Sequence, residues 1–170
     1  RNGIGPIRTG LVTPDTPLTI PMTGLGPIPA TGVGALALNV TATNATQAGY
    51  ITVHNCDGPT PNVSALNFNP NEAVANTVII PPNNNGRVCI TTSTPTHLIA
   101  DLTGWFPDNT GFRPVPGTRL FDTRNGIGPI RTGLVTPDTP LTIPMTGLGP
   151  IPATGVGALA LNVTATNATQ

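Results

Sequence analysis

Residues 1–47 read RNGIGPIRTGLVTPDTPLTIPMTGLGPIPATGVGALALNVTATNATQ, and the same 47 residues recur unchanged as residues 124–170. One period of this repeat is long enough to be a whole domain rather than a short solenoid unit, because domains range from about 50 to 250 residues. The chain holds one full period and the first part of the next. We therefore expect a tandem array whose repeating element is a complete domain.

The proline- and glycine-rich stretch 108–117 predicts a seam between repeat units. On that division, residues 1–107 form a first unit that lacks its N-terminal strand, and residues 118–170 form the incomplete start of a second, identical unit. A fragment of that size holds only a few strands and cannot bury enough apolar surface to offset the entropy lost on folding. We expect it to be completed head to tail, either by a longer array or by another chain.

The region 36–43 carries the pattern of a half-buried β-strand, because its apolar side chains alternate with small or polar ones in the order Leu-Ala-Leu-Asn-Val-Thr-Ala-Thr. Prolines interrupt every stretch that could form a long helix. We expect an all-β fold with about eight strands per period, arranged as a β-sandwich, with a closed β-barrel as the alternative. The predicted strands are 18–22, 36–43, 50–55, 63–68, 74–80, 87–92, 97–105 and 119–124.

The pair Asn85-Gly86 lies directly before one predicted strand, and the run Pro81-Pro82-Asn83-Asn84 precedes it. Asparagine and glycine tolerate the positive φ angles of tight turns. We therefore expect a hairpin between strands 74–80 and 87–92, with a loop longer than two residues.

The composition excludes several functions. Only 8% of the residues are charged, the formal net charge is zero and there is no lysine, so the chain lacks the basic surface by which proteins neutralise nucleic-acid phosphates. No apolar run approaches the 18 or so residues of a membrane span. No serine lies in a nucleophile elbow and no spacing pairs two carboxylates. We expect neither enzymatic activity nor a cofactor, nucleic-acid partner or membrane insertion.

Cys56 and Cys89 are the only two cysteines. An even number of cysteines in a threonine-rich chain that looks exported predicts a disulfide between them. The competing interpretation is a zinc site, in which His54 and His97 would join the two thiolates, although zinc sites normally use other ligand spacings. We favour the disulfide and expect no metal.

Asp122 and Arg124 flank a single threonine, Arg119 lies three residues before Asp122, and Asp101 lies near the end of the last strand before the seam. These residues could form a small polar site for a ligand or an ion. We favour a structural network of ion pairs and turns that holds the first strand of a unit against its last.

Tyr50 and Trp105 are the largest of only six aromatic residues. Packing in the core or at the seam is the simpler interpretation, because large aromatic side chains dominate core energetics. A platform for stacking on sugars would require both rings to be exposed and coplanar. We keep the two residues as candidate exposed aromatics.

Four blocks of the sequence resemble a family of secreted bacterial cell-surface repeats. They are RLFDTR at 119–124, ALNVTAT at 37–43, GYITV at 49–53 and HLIADLTGWF at 97–106. The family has such blocks in the same order, with tyrosine where this chain has Trp105. The resemblance spans the whole period and implies a tandem, surface-associated architecture, but no established chemistry.

Two functions from different classes fit these observations. The first is a structural subunit of an extracellular fibre, stalk or surface filament, whose partners are further copies of the same repeat. The second is an adhesin or carbohydrate-binding module that gains avidity for cell-surface glycans by repetition. Both place the protein outside the cell, secreted or on its surface.

Overall fold

The computed structural model describes residues 5–7, 9–14 and 16–167. The chain forms two compact units, one of Arg1–Pro116 together with Asn162–Gln170 and the other of Gly117–Leu161. The first unit contains seven β-strands, and no helix occurs among the described residues. The strands are β1 Leu18–Pro21, β2 Val33–Thr43, β3 Gly49–Asn55, β4 Leu66–Phe68, β5 Val74–Ile80, β6 Arg87–Thr92 and β7 His97–Pro107.

The strands form two antiparallel sheets. One has the order β1-β6-β3-β4 and the other the order β5-β2-β7. One face of each sheet contributes to a single apolar core. These two open sheets confirm the predicted sandwich rather than the closed alternative. The most completely buried side chains are Leu36, Leu38, Val40, Ile51, Val88 and Ile90.

Strand β2 is the centre of the three-stranded sheet, because it pairs with β5 along one edge and with β7 along the other. Its alternating sequence directs Leu36, Leu38 and Val40 into the core, where each is no more than 1% exposed. β2 thus receives both its backbone partners and its apolar cover from residues far away in the sequence.

The loop before β6 does not form the predicted hairpin, since β5 belongs to the three-stranded sheet and β6 to the four-stranded one. Its turn chemistry is as expected: Gly86 has a φ of 70°. The side-chain oxygen of Asn83 accepts hydrogen bonds from the backbone N–H groups of Asn85 and Arg87. The turn therefore carries the chain across the sandwich instead of joining two neighbouring strands.

The predicted strand 119–124 is wrong. Residues 119–121 form no regular structure, and Asp122 begins a tight turn that is closed by an isolated bridge between Asp122 and Ile127. The predicted strand 63–68 shortens to β4, because Val63 and Ala65 lie in a loop that folds back, with Ala65 donating to the carbonyl of Ile51.

The first residues of the predicted seam pack against the first unit. The backbone N–H of Asp108 donates to the carbonyl of Gly32 at 3.0 Å. The rings of Phe106 and Phe112 stack with their centroids 4.6 Å apart, and Arg113 donates to the carbonyl of Thr110 at 2.7 Å. The N-terminal part of the seam is thus an ordered continuation of β7.

The two identical copies form the same local turns. Gly24 and Gly147 have φ angles of 78° and 77°, and Asn44 and Asn167 both have 57°. The backbone bond from residue 28 to the carbonyl of residue 25 recurs from 151 to 148, at 3.1 Å in each copy. These turns are specified by the 47-residue sequence itself, since their hydrogen bonds join residues close together along the chain.

The same copies differ in their strands. Residues 141–144 and 156–166, the counterparts of β1 and β2, form no strand. Leu38 is 1% exposed whereas its counterpart Leu161 is 49% exposed, and Val40 is fully buried whereas Val163 is 70% exposed. The two copies of one sequence therefore share their turns and differ in their strands. Strands need partners, and β5, β6 and β7 already pair with β1 and β2 of the first copy.

Identical leucines at Leu38 and Leu161 allow a matched test of this difference. We expect Leu38→Ala to lower the free energy of unfolding by about 2–5 kcal/mol, because it removes a buried side chain and leaves a cavity. Leu161→Ala should change it by no more than about 0.5 kcal/mol, as at other exposed sites. Urea denaturation of both variants measures the difference. Equal losses in the two variants would contradict the unpaired state of the second copy.

Candidate functional site

Cys56 and Cys89 form the predicted disulfide, which links the residue after β3 to the middle of the neighbouring strand β6. Their Cα atoms are 5.2 Å apart and the bond closes a loop of 33 residues. The register opposes His54 to Cys89 across the two strands, so the disulfide lies on the outer face of the four-stranded sheet. The confirmed disulfide fits folding in an oxidising compartment.

The loop after Cys56 covers part of this outer face. Thr52 donates from its hydroxyl to the carbonyl of Val63 at 2.6 Å, and the hydroxyl of Thr60 lies 3.5 Å from His54 Nε2. Both Thr52 and His54 are buried, although they alternate with the core residues of β3. The loop after Cys56 thus shields these polar side chains of the outer face from solvent.

The structure does not assemble the four residues of the zinc hypothesis. The two sulfur atoms bond to each other, and His97 belongs to β7 in the other sheet. No group of three or more histidine, cysteine, aspartate or glutamate residues in the described part of the chain could hold a metal ion. His54 instead lies beside the disulfide, with Nδ1 2.7 Å from the carbonyl of Asn55.

Asp122 is the centre of an ion-pair cluster in the second compact unit. Arg124 donates to both oxygens of its carboxylate, from Nε to Oδ1 at 3.0 Å and from Nη2 to Oδ2 at 2.8 Å. The backbone N–H of Arg124 also donates to Oδ1, and Arg119 Nη1 donates to Oδ2 at 3.1 Å. The buried carboxylate therefore closes a turn, which is a structural role.

Electrostatics in this cluster favour the ionised carboxylate. Hydrogen bonds from the side chain and the backbone of Arg124, followed by the positive charges of Arg124 and Arg119, lower the pKa of Asp122 from 3.8 to about 2, although its desolvation acts in the opposite direction. The same bonds raise the pKa of Arg124. Both groups are thus held in their charged forms at neutral pH.

Asp101 lies apart from the other three residues of the predicted network. It is exposed on β7 in the first unit, where its backbone opposes Asn39 of β2. The ion pairs that the described residues show for Arg119 and Arg124 both go to Asp122. The position of Asp101 near the end of β7 in the sequence thus does not predict its contacts. Asp122, to which both arginines donate, lies in a turn that follows the seam.

Tyr50 and Trp105 are both exposed, by 48% and 37% respectively. Tyr50 alternates with the core residues of β3 and so lies on the outer face of the four-stranded sheet. Trp105 opposes the fully buried Leu36, so it projects from the core-facing side of the three-stranded sheet at its edge. The rings lie on different sheets and form no common platform.

Asn162, the counterpart of Asn39, makes contacts that sequence reasoning did not anticipate. Its side-chain nitrogen donates to the carbonyls of Ser64 and Ala65 at 2.9 and 3.2 Å, and its oxygen accepts from Asn76 at 2.9 Å. Asn76 is on β5, the strand at the edge of the three-stranded sheet. Asn162, which belongs to the first unit, is thus held beside this edge by its side chain and not by strand pairing.

No helix among the described residues is long and apolar enough to cross a bilayer. No family model, no curated protein and no solved structure matches this chain. Three features of the described residues bear on function: the disulfide, the Asp122 cluster and the second copy of β2, which forms no strand.

Replacing both Cys56 and Cys89 with serine should lower the free energy of unfolding by about 3–4 kcal/mol, the value that chain entropy gives for a 33-residue loop. Urea denaturation under non-reducing conditions measures the loss. Addition of dithiothreitol should destabilise the native chain by a similar amount and leave the double variant unchanged. A double variant as stable as the native chain would contradict this role of the disulfide.

Acid should weaken the turn around Asp122. Because the pKa of Asp122 is lower in the folded chain, its stabilising contribution is complete above about pH 4 and is lost as the pH falls through about 2. The protection factors of the amides of Arg124 and Ile127, which correct for the pH dependence of intrinsic exchange, should therefore fall on acidification. Asp122→Asn should remove this pH dependence. An Asp122 carboxyl that titrates near pH 4 by NMR would contradict the cluster.

Proposed function

We propose that this protein is a structural subunit of an extracellular fibre, stalk or surface filament, built from β-sandwich repeats joined head to tail. In this proposal each repeat contributes one sandwich, and its first 47 residues pair with the strands that come after them in the same repeat. The repeats lie outside the cell, and their principal partners are further copies of themselves.

One observation carries the proposal: the same sequence is buried and paired in one copy and exposed and unpaired in the other. Residues 156–166 present Leu159, Leu161 and Val163 to solvent, by 40–70%. Such side chains need the partners that β5 and β7 give to β2. A further sequence like that of residues 66–107, placed after the second copy, would supply those partners in the register already seen in the first unit.

The seam supports a fibre with limited bending between repeats. Its first residues are attached to the end of β7 by the Asp108–Gly32 hydrogen bond and the Phe106–Phe112 stack. Prolines at 114 and 116 stiffen the rest of the seam, because proline-rich linkers are extended and semi-rigid. A linker of this kind keeps successive domains apart and favours a linear arrangement.

Chemical features support an extracellular location. The disulfide is of the kind that persists in oxidising environments. The resemblance of four sequence blocks to secreted bacterial surface repeats points the same way. The low content of charged residues, 8% of the chain, also allows fibres to pack side by side with little charge repulsion.

Exposure of Tyr50 and Trp105 favours one alternative, a repeated adhesin or carbohydrate-binding module. Because the two rings lie on different sheets, each would bind a sugar by itself. A glycan array with the native chain, Tyr50→Ala and Trp105→Ala tests the alternative. Binding that one substitution abolishes would support it, and the absence of any bound glycan would remove it.

The fibre proposal predicts that the second copy folds when it is completed. A chain in which residues 48–116 are repeated after Gln170 should form a second sandwich, with a second disulfide. Amide exchange in residues 156–166 should then slow to the rates of β2, by a factor of about 100 or more, because exchange requires the strand to open.

The matched control is the same extension with aspartate in place of the residues that repeat Ile80 and Leu98, both buried in the core. It should leave residues 156–166 exchanging as fast as in the native chain. A correct extension that leaves them equally unprotected would overturn the proposal. So would electron micrographs of the native assembly that show only dispersed monomers.

A further inference from the structure

Residues 117–123 cover one face of the second copy's turns. A methyl group added at Gly149 would lie 3.3 Å from Leu120 Cδ2 and 3.9 Å from Thr118 Cγ2. One added at Gly128 would lie 3.1 Å from the Cβ of Phe121 and would overlap the carbonyl of Leu120. We call the residues 128–130 and 147–151 the turn face of the second copy. It is occupied by the segment that precedes Arg124 in the chain.

The first copy has the same turn face, formed by residues 5–7 and 24–28. Its Ile7 and Ile28 pack against the core of the sandwich, whereas Gly5 and Gly26 face open space. An added methyl group at Gly5 or Gly26 would meet no atom of the described residues within 4 Å. Leu25, which lies between the two glycines of its turn, is 38% exposed, whereas its counterpart Leu148 is half-buried. The two glycines and the leucine of this face are thus covered in the second copy and uncovered in the first.

The open face has the conformation of the occupied one. Gly5 and Gly128 have φ angles of 87° and 86°, and Gly26 and Gly149 have 56° and 55°. These positive φ angles fix where the backbone leaves room for an approaching chain, and only glycine adopts them without strain. A segment that fits one face therefore fits the other without rearrangement of the turns, so little conformational entropy opposes its binding.

We propose that the turn face of the first copy is a docking site for a further copy of the segment Gly117–Thr123, supplied by another repeat. The leucine and phenylalanine of that segment would cover Gly26 and Gly5 as Leu120 and Phe121 cover Gly149 and Gly128. The segment of this chain is already engaged with the second copy, so the occupant is an additional copy. The inference rests on the proposed function and identifies the peptide that each repeat recognises at its start.

The test uses the full chain with a second copy of residues 112–123 attached before Arg1. We expect NOE contacts between the methyl groups of the added leucine and the α protons of Gly26. We also expect amide exchange at Leu25 and Ile28, whose N–H groups bond within the turn, to slow at least about tenfold.

The control is the same extension with L120A and F121A in the added copy, which should give neither NOE contacts nor slower exchange. If the intact extension gives no contacts with Gly26 and no change in exchange, the docking site is refuted. Slower exchange at Leu25 and Ile28 that persists in the alanine control would also refute it, because it would not depend on the leucine and the phenylalanine. The C-terminal extension that tests the fibre proposal reports on residues 156–166 instead, so failure of that proposal and failure of this docking site are distinguishable.

Discussion

The pairing of β2 with strands on both of its edges is the constraint on which the rest of the structure depends. Val33–Thr43 is a strand because β5 and β7 accept and donate its backbone hydrogen bonds, and it is buried because the opposite sheet covers its leucines. The same eleven residues at 156–166 have neither and form no strand. Strand structure in this sequence belongs to the set of paired segments and not to one segment alone.

The strand sequences present in the chain limit what strand exchange between identical chains can achieve. The sequences of β1 and β2 occur twice in the chain, whereas those of β3 to β7 occur once. Exchange of strands between identical chains cannot pair both copies, since each incoming copy releases the one that it replaces. The strand pairs gained and the strand pairs lost are equal in number, because the exchanged sequences are identical. Strand exchange between chains of this sequence would therefore leave as many unpaired copies of β1 and β2 as before.

The sequence predicts features that depend on neighbouring residues and misses those that depend on distant ones. The alternation at 36–43 predicts β2, and the two cysteines predict the disulfide. Asn85-Gly86 predicts a turn, but the sheet to which each adjoining strand belongs is set by pairing with β2 and β3, which no local signal records. The segment 119–124 has strand-like composition, yet the carboxylate of Asp122 binds the backbone N–H of Arg124 and closes a turn. The contacts of Asn162 depend on the three-dimensional arrangement and leave no trace in the pattern.

The disulfide divides the sandwich into two parts with different requirements. Both cysteines belong to the portion that occurs once, and their bond fixes β3 against β6. The duplicated portion contributes β1 and β2 and contains no cysteine, so only hydrogen bonds and apolar contacts hold it. Strands β3 to β7 offer one edge for β1, on β6, and one position for β2, between β5 and β7. The cross-link reduces the conformational entropy of residues 56–89 in the unfolded chain. This part of the sandwich therefore loses less entropy when it folds around β1 and β2. In the proposed array, each copy of β1 and β2 would therefore pair with strands that follow it in the sequence.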